Sequence, residues 1–151
     1  MHQERAARMV DVTQKEVTAR SATAECTVLM GPATRAELVK KELPKGDALE
    51  VARIAGIMAA KKTWDLIPLC HPISIGGIDV ECKESEEGIA IKATVKTNER
   101  TGVEMEALTA VAVAGLTVYD MIKSIDRGAS ITDLRVSEKS GGRSGDWRPA
   151  S

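Results

Sequence analysis

Residues 101–123 read TGVEMEALTAVAVAGLTVYDMIK, and no charge falls between positions 107 and 119. A helix this apolar in a water-soluble chain is expected to be buried almost all round, so it sets the centre of the fold. Glu104 and Glu106 stand at its front, and Asp120 and Lys123 at its back. Groups at the edge of such burial acquire shifted pKa values and can move protons. The plainer alternative is a core helix whose ends simply carry charge. The uncharged run is shorter than the ~18 residues of a membrane span, and Ala, Thr and Gly dominate it, so no membrane association is expected.

The rest of the chain arranges itself around that helix. Residues 17–30 are rich in Thr, Val and Ala and predict a strand. Pro32 opens a short helix to about residue 41, at a position where a first helical turn tolerates proline. Asp47 followed by Glu50 resembles a capping box. Val51, Ile54, Ala55 and Met58 then recur at helical spacing to about residue 62. A loop, DLIPLCHPIS, follows. Ile78, Val80 and Cys82 alternate with acidic residues, and Ile89, Ile91, Ala93 and Val95 answer across the turn ESEEG, predicting a hairpin with one buried face. After the apolar helix, expected to end near residue 128, a last strand is expected at about 132–138 with Leu134 and Val136 inward. The order β-α-α-β-β-α-β is the split βαβ pattern of a ferredoxin-like α+β sandwich, an antiparallel sheet packed on helices. Its length of 151 residues suits one domain. Residues 9–138 are expected to form it, between a flexible arm at 1–8 and a Gly/Ser-rich basic tail at 139–151.

A net charge of -1 argues against nucleic-acid and membrane-surface binding. With no Phe, two Trp and one Tyr, there is little to stack bases on. Cys26, Cys70 and Cys82 form no C-x-x-C pair. Their odd number, without an apolar leader at the start, suggests free thiols in a reducing cytoplasm. Cys26 and Cys82 fall at apolar-phase positions and are expected to pack in the core.

Several groups could carry chemistry. His71 lies between Pro68 and Pro72, whose stiff backbone would fix its orientation beside Cys70; the other histidine, His2, lies in the arm. No second Cys/His pair completes a zinc tetrahedron, so no metal is expected. Asp120 and Lys123 share a helix face at i, i+3 and could pair. Lys45-Gly46-Asp47 stands at a helix start that suits an anion, although capping alone would explain Asp47. Arg53, Lys61 and Lys62 read as a solvated face. The tail sets Lys139 and Arg143 among glycines, a pattern that suits either phosphate binding or disorder. Glu106 and Asp120 are fourteen positions apart, or about 21 Å along a helix. Either the helix ends serve different parts of one large substrate, or each meets a neighbouring subunit. Both options favour an oligomer with sites between chains.

Four segments taken together resemble one family: MVDV (9–12), KGDALEVARIAGIMAAKKTWDLIPLCHP (45–72), TGVEMEALTAVAVAGLTVYDMIK (101–123) and EKSGGRSG (138–145). The family is that of the cyclic pyranopterin monophosphate synthases of molybdenum-cofactor biosynthesis. One departure is Arg143, where lysine is about as usual. The resemblance implies a lyase that takes 3′,8-cyclo-7,8-dihydroguanosine 5′-triphosphate from an upstream radical enzyme. Such a lyase yields cyclic pyranopterin monophosphate and pyrophosphate without a redox cofactor. It further implies a homohexamer, a trimer of dimers, with active sites at subunit interfaces. Matched by motif, Asp120 and Lys123 would be the central acid/base pair, with His71 and Lys45 lining the same pocket. Leu69, Cys70, His71, Met105 and Glu106 would contact substrate, with Glu104 close by and Asp11, Lys15 and Lys139 at the periphery. The tail would close over substrate. The rival reading is a non-catalytic oligomeric sensor of a nucleotide or pterin.

Overall fold

The alternation of apolar and polar residues at 78–82 and 89–95 becomes a hairpin in the computed structural model, which describes residues 5–150. The elements run β1 (Thr18–Leu29), α1 (Pro32–Val39), α2 (Ala48–Ala60), α3 (Thr63–Leu66), β2 (Ile75–Ser85), β3 (Gly88–Glu99), α4 (Glu104–Ile122) and β4 (Ser130–Gly141). His2 and residues 1–4 of the expected arm lie outside the described residues, while residues 5–8 are exposed and in no helix or strand. The strands form one antiparallel sheet in the order β2-β3-β1-β4. With α2 and α4 packed against it, this is the expected ferredoxin-like α+β sandwich. The short α3 falls where the sequence reads mostly as loop.

The core is aliphatic and small. Ala22, Ala24, Cys26 and Val28 of β1 and Ile89, Ile91, Ala93 and Val95 of β3 are buried beneath Ala107, Ala110, Val111, Ala114 and Val118 of α4. Cys26 donates its S–H to the Val111 carbonyl at 3.4 Å. Burial pushes the thiols of Cys26 and Cys82 up to about 11, which keeps them protonated packing groups. Gly88 has φ +151, and a Cβ there would lie 1.9 Å from the Val28 carbonyl oxygen, so the hairpin can close on β1 only with glycine.

Two expectations about burial are corrected, and α2 buries a face other than its bulky apolar period. In α2 the stripe Val51, Ile54 and Met58 faces outward, at 41%, 46% and 55% exposure. The buried face is Ala48, Ala52, Gly56, Ala59 and Ala60, because α2 lies close against α4: a Cβ at Gly56 would stand 3.0 Å from the Ala110 carbonyl. Helix α4 is likewise not buried all round within one chain, since Leu116 is 58% exposed. Leu134 of β4 points outward rather than inward. Thr27 pairs with Thr132 and Glu25 with Arg135, so Cys26 opposes two residues, Asp133 and Leu134, and Asp133 takes φ 57. That bulge shifts the inward phase of the strand by one residue. β4 also continues three residues past the expected end at Glu138, and Lys139 exchanges main-chain hydrogen bonds with Trp147 at 2.9 and 2.8 Å.

Asp126, in the turn between α4 and β4, caps α1 from a distance. Its carboxylate accepts from the Gly31 N–H at 3.2 Å, the Thr34 hydroxyl at 3.1 Å and the Gly128 N–H at 3.1 Å. The Gly31 and Thr34 bonds lead in holding its pKa below the usual 3.8. A depressed folded-state pKa contributes stability that is fully present above the unfolded value and is lost as pH falls through the folded one. Asp126→Asn should therefore be less stable than wild type at neutral pH. The gap in denaturation midpoint should narrow below about pH 3.8; a gap independent of pH would remove the carboxylate charge from the account.

Candidate active site

Helix α4 carries ionisable groups at both ends, and each end gathers its own cluster. At the N-terminal end, Glu106 is only 3% exposed. Its neighbour is Cys70, whose sulfur lies 3.8 Å from Oε2 and donates a weak hydrogen bond. Burial raises the Glu106 pKa, its own N–H and the Cys70 thiol pull it partly back, and Glu104 adds like-charge repulsion. Burial, and then the Glu106 charge, also raises Cys70, so the pair favours a thiol beside a carboxyl group that holds its proton more tightly than usual.

Cys70 closes a turn through its N–H to Ile67 O at 3.1 Å, and Pro72 biases the backbone of His71, the residue before it, toward extended conformations. The imidazole of His71 reaches the Val10 carbonyl at 2.6 Å. A carbonyl only accepts, so Nε2 carries the proton there. The segment MVDV thus crosses the face of His71. Asp11 turns back onto Thr13, accepting from its N–H at 2.9 Å and its hydroxyl at 2.7 Å, which lowers the Asp11 pKa. Between these parts is a cavity of about 410 Å³ lined by Val12, Leu69, Cys70, His71, Met105 and Glu106 among others.

An adjoining cavity of about 440 Å³ is lined by Lys15, Arg20, Glu104, Lys139 and Arg143. Lys139 bridges to Glu104 at 2.9 Å and to the Ser144 hydroxyl at 3.0 Å, so part of the tail is tied to the first turn of α4. Sequence reasoning missed Arg20. It sits in a strand among Thr and Ala, and nothing local marks it as facing this cavity.

The C-terminal end holds a different arrangement. Asp120 lies between two lysines, with Lys123 Nζ 2.8 Å from Oδ1 and Lys45 Nζ 2.7 Å from Oδ2. The Lys123 pair has the i, i+3 spacing visible in the sequence. Lys45 arrives from a tight turn, Gly46 N–H to Leu43 O at 2.9 Å, with Gly46 at φ +103. The hydrogen bonds from Lys123 and then Lys45 pull Asp120 down to about 2, and Asp120 raises Lys123 in return. Lys45 is therefore drawn into an ion pair rather than left beside the start of α2, where Asp47 caps by accepting the Glu50 N–H at 3.3 Å. Arg53 is engaged by Glu50 at 2.5 Å, in keeping with a solvated face.

Within one chain the two clusters stay apart. Cys70, His71, Glu104, Met105, Glu106, Lys15 and Lys139 collect at the front of α4, and Lys45, Asp120 and Lys123 at its back, about 21 Å away at ~1.5 Å per residue. Among the described residues no three His, Cys, Asp or Glu side chains converge as a metal-ligating set. The front offers a buried carboxyl group, an oriented imidazole and cations; the back offers two ammonium groups fixed by one carboxylate. Together these could donate and accept protons and hold an anion.

Residues 9–142 match the family model described as the MoaC family. The chain is 62% identical over 143 residues to a protein of Streptomyces avermitilis named cyclic pyranopterin monophosphate synthase, covering 94% of this chain and 84% of that protein. It is 60% identical to the protein of that name from Streptomyces coelicolor, with the same coverages. For the one from Parvibaculum lavamentivorans the identity is 57%, over 95% of this chain and 91% of the relative.

Proposed function

The chain belongs to the MoaC family, and we propose on that premise that it is a lyase of molybdenum-cofactor biosynthesis. It converts 3′,8-cyclo-7,8-dihydroguanosine 5′-triphosphate, the product of an upstream radical enzyme, to cyclic pyranopterin monophosphate and pyrophosphate. The observation that carries this reading is the similarity to relatives named for that product along nearly the whole chain. The site chemistry supports it. Opening a saturated imidazole ring and reclosing it as a pterin requires proton transfers to and from nitrogen and oxygen. Glu106, whose pKa is raised by burial, and the His71 imidazole are suited to them. Lys123 and Lys45 add ammonium groups held in place by Asp120. At about 2, Asp120 is a weak base at neutral pH, so its first role is to orient the two lysines. Forming the cyclic phosphate expels pyrophosphate, and cations around the phosphates stabilise that departing charge.

Both ends of α4 then serve one pocket only if two chains build it. We place the working enzyme in the cytoplasm as a homohexamer, a trimer of dimers with sites at its interfaces. The outward apolar stripe Val51, Ile54 and Met58, together with Leu116, supports this, because such a surface suits burial against another copy. The test is to incubate purified protein with the cyclised triphosphate and follow pyrophosphate and the cyclic-phosphate pterin. Equal yields of both are expected. Tight binding of the triphosphate with neither product would turn the reading to the oligomeric sensor.

A further inference from the structure

Among the described residues the His71 imidazole makes one hydrogen bond to protein, from Nε2 to the Val10 carbonyl at 2.6 Å. The bond joins positions 61 apart in sequence, and both of its ends are held. On the histidine side, Cys70 closes its turn onto Ile67 and Pro72 biases the His71 backbone toward extended conformations. On the valine side, Asp11 accepts from the Thr13 N–H and hydroxyl at 2.9 and 2.7 Å, and the Lys15 N–H donates to the Val12 carbonyl at 3.0 Å. Two successive turns thus stiffen residues 11–15 directly after Val10, in a segment that enters β1 at Thr18. Val10 itself is 67% exposed, so burial of its side chain does not fix it there.

The ring therefore meets a neutral partner. The segment carries a carboxylate at the very next residue, Asp11, but that group is turned onto Thr13. A carboxylate would favour the charged imidazolium as well as orient the ring. A carbonyl orients the ring with a dipole alone. Having no proton to give, it selects the Nε2–H form, and the neutral ring then keeps its lone pair on Nδ1. Which nitrogen of a histidine carries the proton is set in this way by the hydrogen bond that the other makes or lacks. Val10 and His71 both line the cavity at the front of α4, so the choice of tautomer is made in the wall of the site.

We propose that Val10 is a positioning residue whose main-chain carbonyl fixes His71 as its Nε2–H tautomer, so that His71 takes up protons at Nδ1. The catalytic consequence rests on the lyase reading above, whereas the tautomer is a property of the folded chain and is measured without substrate. The segment MVDV then serves the acid–base chemistry through its backbone. An imidazole in the other tautomer presents a donor where an acceptor is needed, a fault that lowers kcat rather than weakening binding.

The test is NMR of the imidazole nitrogens in the full chain at alkaline pH, where the ring is neutral. His2→Gln leaves His71 as the one histidine. In that background the ring should show a single Nε2–H tautomer, with its N–H proton protected from exchange with water. The decisive variant replaces the peptide link between Val10 and Asp11 by an ester, made by joining a synthetic segment 1–25 to residues 26–151 at Cys26. Every side chain is kept, while an ester carbonyl accepts more weakly than an amide. The ring proton should then exchange faster, and the nitrogen shifts should move toward a mixture of tautomers. The kcat for pyrophosphate release should fall about 2- to 10-fold, the scale of one hydrogen bond, with little change in KM. Should the ester protein fail to refold, deletion of residues 2–12 decides by the same spectra, and mixed tautomers are expected. An Nδ1–H tautomer in the unmodified chain would overturn the assignment. So would an unchanged ring proton and tautomer in the ester protein, or in the deletion where the ester protein is unfolded. Mixed tautomers with kcat intact would overturn the catalytic consequence. A tautomer that depends on the Val10 carbonyl in a protein that releases no pyrophosphate would instead retain the positioning role and refute the lyase.

Discussion

Asp120→Asn and Lys123→Ala are each expected to lower turnover by about 10²-fold or more, the scale of a lost acid–base group. The fold and assembly should persist. Both side chains are half exposed, at 48% for Asp120 and 55% for Lys123, so neither substitution strands a buried charge. The asparagine variant is the more informative. It keeps the size of Asp120 but removes the charge that holds two ammonium groups at 2.7 and 2.8 Å. Lys45 and Lys123 would then lose their shared anchor, and Lys123 the hydrogen bond that raises its pKa. A drop in kcat larger than any rise in KM is expected, because proton transfer rather than uniform binding is lost. Asp120 stays ionised until pH falls to about 2, so an acid limb at higher pH would report another group, such as Glu106, whose pKa burial raises. Near-normal pyrophosphate release by either variant would take the pair out of the mechanism.

What could be read from the sequence divides along a physical line. Local periodicity and local capping were legible: the β2–β3 alternation, the Asp47 cap on α2 and the uncharged α4 all appear in the structure. Each depends on residues only a few positions apart. Features set by contact between distant elements were not legible. Val51, Ile54 and Met58 carry the bulky apolar period of α2, yet Gly56 and the alanines win the inner face because α4 approaches too closely for larger side chains. A period shows that a helix has an apolar face, and says nothing of whether its own chain or another covers it. Leu134 was misplaced because it lies in the bulge with Asp133, opposite Cys26, where the inserted residue breaks the inward alternation running back from Val136. At the site, the i, i+3 spacing found Asp120–Lys123, while Lys45 reaches the same carboxylate from 75 positions away. Arg20 is the extreme case. Its burial against the Glu99 and Arg100 carbonyls, 79 and 80 positions away, is encoded in no linear pattern.

The separation of the two clusters leads to the second large effect, recovery of activity from two dead proteins. His71 and Glu106 occupy one end of α4 and Lys123 the other, some 21 Å away at ~1.5 Å per residue. No small reacting centre touches both within a chain, so under the lyase reading each pocket combines the front of one α4 with the back of a neighbour's. His71→Ala and Lys123→Ala should each be inactive when pure, since every pocket then carries one lesion. After mild dissociation, subunit exchange and reassembly at equal amounts, a pocket draws its front from either variant and its back from either variant. About a quarter of the pockets in randomly mixed closed oligomers should then carry neither lesion. A comparable fraction of wild-type pyrophosphate release should return, while the pure variants put through the same procedure stay inactive. Mixed assembly must be verified by mass or by distinguishable tags, so that failure to exchange is not mistaken for failure to complement. If verified mixed oligomers recover nothing, His71 and Lys123 belong to the same half of the site. One chain would then have to bring its own two ends together by a rearrangement of α4, and the interface site would be wrong.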